Sequence, residues 1–534
     1  MRDSPSETGR LDALLVLDRQ ARVVSSALLA QYVEGAGQLR SFDWRCWLSA
    51  TQLCQSFFRA YESFLPHVFS AAGEDWTKRG PRVLAQLFHH RKTEFLLRLL
   101  RYKKRKSEHW QQLNEMYRLA LERGMLNCAQ AACEPDGGRG ATGNAEQEYL
   151  QILLLEAMNS GHFSPHEALW AHRWFGRWCS GPTLRLTEVA GSVQGGAVGF
   201  VVDLGGSDGL KRAPATGGKL LHFDSSPLSV MIDQETASLR AGAAPAQPAA
   251  PAERAGQLAL LNKLAVVFAP HPAVNQRRAE RKPVAVTVQA IAGLSCIIAE
   301  LWHSGQKPSG AAPFAAAPGT EVTIAQFGRS ARSPLFAAAI AGQEALSSAN
   351  RQEAKPLTWQ VKDRSDWGCR MRGQIDDLNR VIPGSLMALR DRESAPWTVA
   401  VVRWFRRLMV DHVEIGVEYL GRRPRFIKMV AHDQRQEADN KTPDGTAKCF
   451  AALYLPPSEE SPTMPIKTLL LPASEFRAGC EVTLLSSSAT FRARLCEPIQ
   501  QQAEFVLTPF AVISQVAPAH AGSQTRDTDT RETA

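Results

Sequence analysis

The hydrophobic periodicity of the chain changes at Gly181, and this change most constrains the fold. Before it, apolar residues recur at spacings of three and four, which is typical of helices that bury one stripe. After it, short apolar runs alternate with turn residues, which is typical of strands. A chain of 534 residues, 44% of them hydrophobic, is long enough for three or four domains. We therefore predict an α+β multidomain protein that begins with a helical bundle and continues with β domains.

The helical pattern fills residues 1–180. The predicted helices are Leu11–Tyr32, Phe42–Leu65, Arg82–Tyr102, His109–Arg123, Tyr149–Asn159 and Pro165–Trp178. Ser164, Pro165 and Glu167 fit an N-cap, a proline at the first helical position and an acidic first turn.

The strand-like pattern falls into two parts separated by a linker. Residues 181–240 predict a small β-rich subdomain, whose last strand candidate is Leu228–Ile232. Residues 241–256 are rich in Ala and Pro and predict a linker.

The second part predicts a barrel at residues 257–437 and a small C-terminal β domain at 460–517. The strand candidates of the barrel are Pro283–Ala290, Leu357–Lys362, Cys369–Arg372, Leu386–Leu389, Trp397–Arg403 and Glu414–Leu420. Residues 304–356, rich in Ala, Ser, Gly and Pro, predict an insertion with one helix near 334–348. Residues 518–534 have no apolar periodicity and predict a disordered tail.

Composition excludes several classes of protein. The charge of +9, from 62 basic and 53 acidic residues, permits an anionic partner but does not indicate a nucleic-acid coat. We expect no membrane span, because no run of about 18 apolar residues occurs. The N-terminal sequence does not have the pattern of a secretory signal, and the ten cysteines are scattered. These features predict a cytoplasmic protein with reduced thiols.

Four basic side chains lie between residues 277 and 282, directly before a predicted strand. Arg277 and Arg281 are four residues apart and can hold one bulky anionic ligand from the same side. The planar guanidinium fork suits phosphate oxygens and can also stack on a base. The alternative is a solvated basic linker without a ligand.

An acid, a hydroxyl and a glycine follow in the segment VKDRSDWGCRMR. Asp363 and Ser365 are two residues apart, so in extended chain they face the same side. They can accept hydrogen bonds from a base edge and donate to a phosphate, and Gly368 permits a turn or the close approach of a ligand. The alternative is that Asp363 and Ser365 only form a turn.

The order of these motifs resembles the PilZ domain, the bacterial receptor module for cyclic di-GMP. That family has R-x-x-x-R before its first strand and (D/N)-x-S-x-x-G at a later strand of a six-stranded antiparallel barrel. The resemblance covers about residues 275–435 and includes the turn Pro383-Gly384, the strand Val402–Trp404 and the closing segment Gly416–Glu418. About 80 residues separate the two motifs here, more than is usual in the family, and the insertion accounts for most of this distance.

The resemblance implies roles for the motif residues. Arg277 and Arg281 would bind the phosphates and stack on guanine, with Arg278 as a further ligand candidate. Asp363 and Ser365 would contact the guanine edge and a phosphate, and Gly368 would form the turn beneath the ligand. The ligand would be cyclic di-GMP, without a cofactor or a metal. Binding would order the arginine segment on the dinucleotide and so fix the linker and the angle between domains.

These expectations favour a binding protein over an enzyme, because no catalytic constellation is recognisable. The receptor would act on a protein partner through the helical region, and the family's usual outputs are motility, biofilm and virulence control. One alternative is a PilZ-like scaffold without a ligand. Another is a binder of nucleic acid or an anionic surface through the basic run Arg98–Lys106, although the simplest interpretation of this run is the solvated end of a bundle helix.

Overall fold

The computed structural model of the protein describes most of the chain. The described residues are 7–37, 44–70, 74–103, 107–128, 143–158, 161–181, 183–193, 199–212, 215–241, 251–270, 280–303, 356–375, 381–409, 412–432, 449–457, 466–485, 490–502 and 504–516.

The N-terminal region is a helical bundle, as the periodicity predicted. Its helices are α1 (Glu7–Gly37), α2 (Trp44–Glu62), α3 (Leu65–Phe69), α4 (Glu74–Leu100), α5 (Ser107–Glu122), α6 (Ala145–Ala157) and α7 (Pro165–Cys179). Every residue of α6 from Tyr149 to Leu155 is buried. A helix that is buried on all sides belongs at the centre of a bundle, and α6 packs against both α4 and α7.

Helix α4 carries basic side chains into the bundle, and each of the three described next lies beside a carboxylate. Lys92 Nζ lies 2.8 Å from a carboxylate oxygen of Glu148, and Arg91 Nη1 lies 2.6 Å from Glu94. His90 Nε2 lies 3.0 Å from Asp18. Burial alone would raise the pKa of Asp18, but the hydrogen bond and charge of His90 hold it well below its usual value. Much of the basic character of α4 therefore serves the interior of the bundle.

A small sheet and two helices follow the bundle. The sheet contains β1 (Leu186–Val193), β2 (Phe200–Asp203), β3 (Lys211–Arg212) and β4 (Ala215–Phe223) in the order β1-β4-β2-β3, and the helices are α8 (Ser226–Ala241) and α9 (Pro251–Val267). The strand predicted at Leu228–Ile232 is instead the start of α8. Leu228, Ile232 and Leu239 share one buried helix face, and a short apolar run alone does not distinguish a strand from a helix.

Asn114 of α5 attaches this small sheet to the bundle. Its amide nitrogen lies 3.0 to 3.2 Å from the carbonyl oxygens of Asp203, Gly206 and Asp208. Its side-chain oxygen accepts a hydrogen bond from the hydroxyl of Tyr149 at 2.8 Å. The turn after β2 is therefore held by a buried side chain whose polar atoms are satisfied.

The region of the predicted barrel is a closed six-stranded barrel. Its strands are β5 (Lys282–Ala292), β6 (Leu357–Ser365), β7 (Gly368–Gln374), β8 (Leu386–Arg390), β9 (Thr398–Arg407) and β10 (His412–Arg422), in the order β10-β7-β6-β5-β8-β9. Helix α10 (Leu294–His303) follows β5. Trp359, Val361 and Met371 are fully buried, while Arg370 and Arg372 are not, so side chains alternate between the interior and the outside.

The C-terminal β region is a second closed barrel with the same connectivity. It consists of β11 (Arg425–His432), β12 (Cys449–Leu455), β13 (Thr468–Pro472), β14 (Glu481–Leu485), β15 (Thr490–Leu495), the two-residue β16 (Gln500–Gln501) and β17 (Phe505–Val516). The sheet order is β13-β12-β11-β14-β15-β17-β16, and β13 also pairs with β17. Leaving out β16, the strands of both barrels follow the order sixth, third, second, first, fourth and fifth along the chain.

The boundary between the two barrels lies between Arg422 and Arg425, before the predicted limit at residue 437. β11 starts at Arg425, soon after β10 ends at Arg422, and pairs with β12 and β14. The predicted limits of 437 and 460 therefore fall after β11 and after β12, both of which belong to the second barrel. Residues 304–355, which include the helix predicted near 334–348, and residues 517–534 lie outside the described residues, as do 242–250 of the predicted linker.

Two properties of the described residues bear on function. None of their helices is both long enough and apolar enough to cross a membrane. They also contain no group of three or more His, Cys, Asp or Glu side chains that could hold a metal ion.

The start of α7 tests how well the local sequence determines a helix boundary. Ser164 and Glu167 form a capping box, in which each side chain accepts a hydrogen bond from the backbone of the other. We expect Ser164→Ala to lower the free energy of unfolding by about 1 kcal/mol. Ser70→Ala is the matched control, because the exposed Ser70 hydroxyl donates only to a neighbouring carbonyl. Equal loss of stability in both variants, measured by chemical denaturation, would refute the cap.

Candidate ligand-binding site

An irregularity in β6 turns Asp363 to the outside of the first barrel. Val361 pairs with Met371, but Asp363 pairs with Arg370, so two steps along β6 match one step along β7. Without this bulge, Asp363 would face the same side as the fully buried Val361. The bulge therefore places the carboxylate opposite an arginine on the outer face.

Asp363 is held between two arginines from different parts of the sequence. Nη1 of Arg281, just before β5, donates to Oδ1 of Asp363 at 3.0 Å. Nε of Arg370 on β7 lies 2.7 Å from Oδ2. Both arginine side chains remain more than a third exposed, while that of Asp363 is 13% exposed. One side of the barrel thus presents two accessible guanidinium groups with a fixed carboxylate between them.

Ser365 and Gly368 form the end of the β6–β7 hairpin. They pair across the two strands, and the Ser365 hydroxyl donates to the carbonyl oxygen of Gly368 at 3.3 Å. A Cβ atom on Gly368 would lie 2.0 Å from the carbonyl oxygen of Val417 on β10. Because no side chain fits there, the glycine permits β7 and β10 to approach and the barrel to close.

A second carboxylate, Glu414 of β10, extends the charged face. Its side chain is 2% exposed, and Arg372 Nε lies 2.9 Å from it. Arg406 on β9 lies 3.6 Å from the same carboxylate, and Arg370 lies 3.9 Å from it. Sequence reasoning missed these groups. The signal that could have found them is the alternation in GCRMR and HVEIGVE, which places Arg370, Arg372 and Glu414 on one face of their strands.

Trp404 of β9 is a further residue that the motifs did not indicate. A Cβ atom on Gly416 would lie 2.0 Å from the indole nitrogen of Trp404, so the ring lies directly over this glycine. The Arg406 guanidinium lies 5.9 Å from the centre of the ring. Gly416 is also the cross-strand partner of Arg370. A flat aromatic surface therefore adjoins the arginines.

The structure brings four of the predicted residues together and leaves two undescribed. Arg281, Asp363, Ser365 and Gly368 lie around the β6–β7 hairpin and the start of β5. Arg277 and Arg278 lie outside the described residues. We define the ligand face as Arg281, Asp363, Ser365, Gly368, Arg370, Arg372, Trp404, Arg406 and Glu414. Its arginines outnumber its carboxylates, which favours a ligand with more than one negative charge.

The described part of the basic run at the end of α4 is engaged with neighbouring side chains. Arg98 Nη2 lies 3.0 Å from Glu94. The charged groups of Arg101 and Lys103 lie 4.8 and 4.4 Å from the ring centre of Trp47. Lys104, Arg105 and Lys106 lie outside the described residues. The sequence favoured a solvated helix end, but Arg101 and Lys103 instead pack against the ring of Trp47.

Comparison with known families identifies the barrel. Sequence models of the cyclic di-GMP receptor FimW match the chain twice: its N-terminal domain matches residues 1–188, and its middle PilZ domain matches residues 316–424. Residues 316–424 are a PilZ domain. The two matches together cover more than half of the sequence, and cyclic di-GMP is the ligand of this receptor family. No curated protein and no solved structure matches the chain.

The PilZ match includes one of the two motifs. The D-x-S-x-x-G motif at residues 363–368 lies within the matched range, whereas the arginines at 277–281 and strand β5 precede it. In the structure β5 nevertheless belongs to the closed barrel, and Arg281 reaches Asp363. The geometry therefore connects Arg281 and β5 to the PilZ domain independently of the match.

Gly368 provides a test of barrel closure. We expect Gly368→Ala to lower the free energy of unfolding by at least about 2 kcal/mol, because its Cβ would collide with backbone that cannot easily move. In the control Gly176→Ala, within α7, the nearest atom lies 3.9 Å from the new Cβ. That change should be neutral or stabilising by up to about 1 kcal/mol. Wild-type stability of Gly368→Ala in thermal unfolding would contradict the close contact of β7 and β10.

Proposed function

We propose that the ligand face binds cyclic di-GMP and that the protein is a receptor without catalytic activity. The observation that carries this proposal is the convergence of Arg281 and Asp363, which are 82 residues apart in sequence and 3.0 Å apart in space. A guanine edge offers donors that a carboxylate accepts, and a phosphodiester accepts from arginine. The face supplies both kinds of group side by side.

Binding would exchange the partners of Asp363 and Arg281. The carboxylate would accept from the guanine edge, while the released guanidinium of Arg281, together with Arg277 and Arg278, would turn to a phosphate and stack on a base. The Ser365 hydroxyl, now bonded within the hairpin, would donate to a phosphate. Gly368 would leave the hairpin end open to the ligand, because no side chain covers it.

The residues found in the structure extend this arrangement. Arg370 already shares Asp363 with Arg281 and is the best placed to bind a second phosphate oxygen. Arg372 and Arg406, grouped around Glu414, add positive charge along the same face. Trp404 offers an aromatic surface on which a base can stack.

We further propose that β9 transmits ligand binding to the helical region. The Phe405 amide donates to the carbonyl oxygen of Gly161 at 2.9 Å, and a ring nitrogen of His162 lies 3.0 Å from the carbonyl oxygen of Arg403. The side chain of Arg403 in turn binds Glu418, the cross-strand partner of Gly368. Strand β9 therefore contacts the loop before α7 and also contributes Trp404 and Arg406 to the ligand face.

Helix α9 is a second connection to the same loop. Lys263 of α9 donates to the carbonyl oxygen of His162 at 3.2 Å and binds Glu167 at 2.7 Å. The chain then continues from α9 to the arginine segment at residues 277–281. A ligand that fixes residues 277–281 on the barrel would therefore also act on α9, and through Lys263 on the loop before α7. Such a change in order is one way in which a ligand switches a protein.

The partner and the regulated process are further parts of this proposal. We propose that a protein partner recognises the helical region, in the cytoplasm, and that motility, biofilm formation or virulence is the output. The alternative of a scaffold without a ligand is less well supported, since Arg281 and Asp363 meet on the barrel surface. The alternative of a nucleic-acid binder is also less well supported, since Arg98, Arg101 and Lys103 pack within the fold.

The receptor proposal predicts the effect of single substitutions on ligand affinity. We expect Arg281→Ala, Asp363→Ala and Arg370→Ala each to weaken cyclic di-GMP binding by about tenfold or more, the usual loss for a charged hydrogen bond. Isothermal titration calorimetry of the full chain measures this. Arg118→Ala is the matched control, because Arg118 of α5 also forms ion pairs, with Glu115 and Glu122, but lies outside the ligand face.

Two results of this titration would contradict the proposal. If the wild-type chain does not bind, the scaffold alternative is favoured. If binding survives all three substitutions at the affinity of the Arg118→Ala control, the ligand site lies elsewhere.

The transmission proposal predicts a change in hydrogen exchange. Adding cyclic di-GMP should slow amide exchange in β9 and in the segment from Gly161 to the first turn of α7. His162→Ala should retain the ligand affinity and the change in β9 but reduce the change around α7. His67→Ala, whose ring stacks on Trp76 within the bundle, is the control. Saturating ligand without any change around α7 in the wild type would refute transmission while leaving the receptor intact.

A further inference from the structure

The end of α4 adopts an unusual conformation against the first barrel. Tyr102 has a φ angle of +53°, and the amide of Lys103 donates back to the carbonyl oxygen of Arg98 at 3.0 Å. Helices commonly end in this way with a glycine at the position of Tyr102, and another residue costs about 1–2 kcal/mol. The Tyr102 ring lies 4.7 Å from the ring of Phe405 on β9. Packing between helix and barrel therefore maintains a strained residue.

Positively charged side chains gather at this junction. Arg101 and Lys103 both lie over the ring of Trp47, and Arg407 approaches from β9. Burial lowers the pKa of Lys103, and the charges of Arg101, Arg407 and Arg98 lower it further. Arg98, one turn earlier on α4, lies 3.0 Å from the carboxylate of Glu94. A cluster of positive charge at one junction favours an anionic ligand.

Two buried donors at this junction have no acceptor among the described residues. They are the hydroxyl of Tyr102, a residue that is 8% exposed, and Nε of Arg101. Burial, followed by the charge of Glu167, raises the pKa of Tyr102 well above its usual value, so the hydroxyl remains a donor. Glu167 itself is bound by Lys263 and by the backbone of Ser164. Buried donors without acceptors usually indicate a bound water or ion.

We propose that Arg101, Tyr102, Lys103 and Arg407 form a binding site for a phosphate-bearing anion between the end of α4 and β9. The guanidinium groups of the two arginines supply forked donors, the lysine supplies a compact charge and the tyrosine supplies a neutral donor. A phosphate offers several acceptor oxygens to satisfy these donors, and its negative charge complements the cations around them. The site shares no residue with the ligand face, so it stands independently of the receptor function.

The test is thermal unfolding of the full chain in increasing inorganic pyrophosphate, with sodium chloride at equal ionic strength as reference. We expect pyrophosphate to raise the Tm of the wild type more than chloride does. Lys103→Met, which keeps an apolar side chain on Trp47, and Tyr102→Phe, which keeps the ring contact, should each reduce that additional shift. Lys211→Met, which removes an exposed lysine of β3, should keep it in full.

The control also separates specific binding from general stabilisation, because multivalent anions stabilise many proteins through exclusion from the surface. That general effect should be the same in all variants. A wild-type shift no larger than that of chloride, or a shift that Lys103→Met and Tyr102→Phe leave unchanged, would overturn the site.

A second arm identifies the source of the phosphate. Cyclic di-GMP is added to Arg281→Ala, in which binding at the ligand face is weakened, and to the same variant carrying Lys103→Met. If the dinucleotide still raises Tm and Lys103→Met removes this effect, the site accepts a phosphodiester. If only pyrophosphate acts, the site is specific for a free phosphate group. If neither raises Tm in a way that depends on Lys103, the proposal fails.

Discussion

The close approach of β7 and β10 at Gly368 is the contact on which the first barrel depends. Because a Cβ atom there would meet the carbonyl oxygen of Val417 at 2.0 Å, only glycine allows these strands to pair and the ring to close. Closure aligns Arg370 and Arg372 with Gly416 and Glu414 on one outer face. The bulge in β6 then adds Asp363 to that face. The candidate site is thus a consequence of how the barrel closes.

Local sequence patterns predicted most helices and strands, but they did not predict the order in which the strands pair. Ser164, Pro165 and Glu167 start α7 as expected, since a helix cap depends only on residues next to each other. The run Leu228–Ile232 was misassigned, because its length fits a strand and its true partners, including Leu239, lie further along the chain. The shared connectivity of the two barrels was not visible either. Strand order follows from pairings between distant segments, which leave no fixed period in the sequence.

The motifs identified the PilZ resemblance but only part of the candidate site. Asp363, Ser365 and Gly368 are recognisable because they are adjacent in sequence, and Arg281 because it precedes a strand. Arg406 and Trp404 come from β9, and nothing in their local sequence shows that they meet β10. Such a face is assembled by cross-strand pairing. Strand β9 also contacts the helical region, through Phe405 and Gly161, so the same assembly joins the ligand face to the bundle.

We propose that cyclic di-GMP binds to the outer face of the first barrel. The most direct measurement is a crystal structure of the full chain with the dinucleotide bound. We expect a guanine edge within hydrogen-bonding distance of Asp363 and a phosphate within reach of Arg281 and Arg370. A dinucleotide bound elsewhere, with Arg281 and Asp363 still paired as they are at 3.0 Å here, would contradict it.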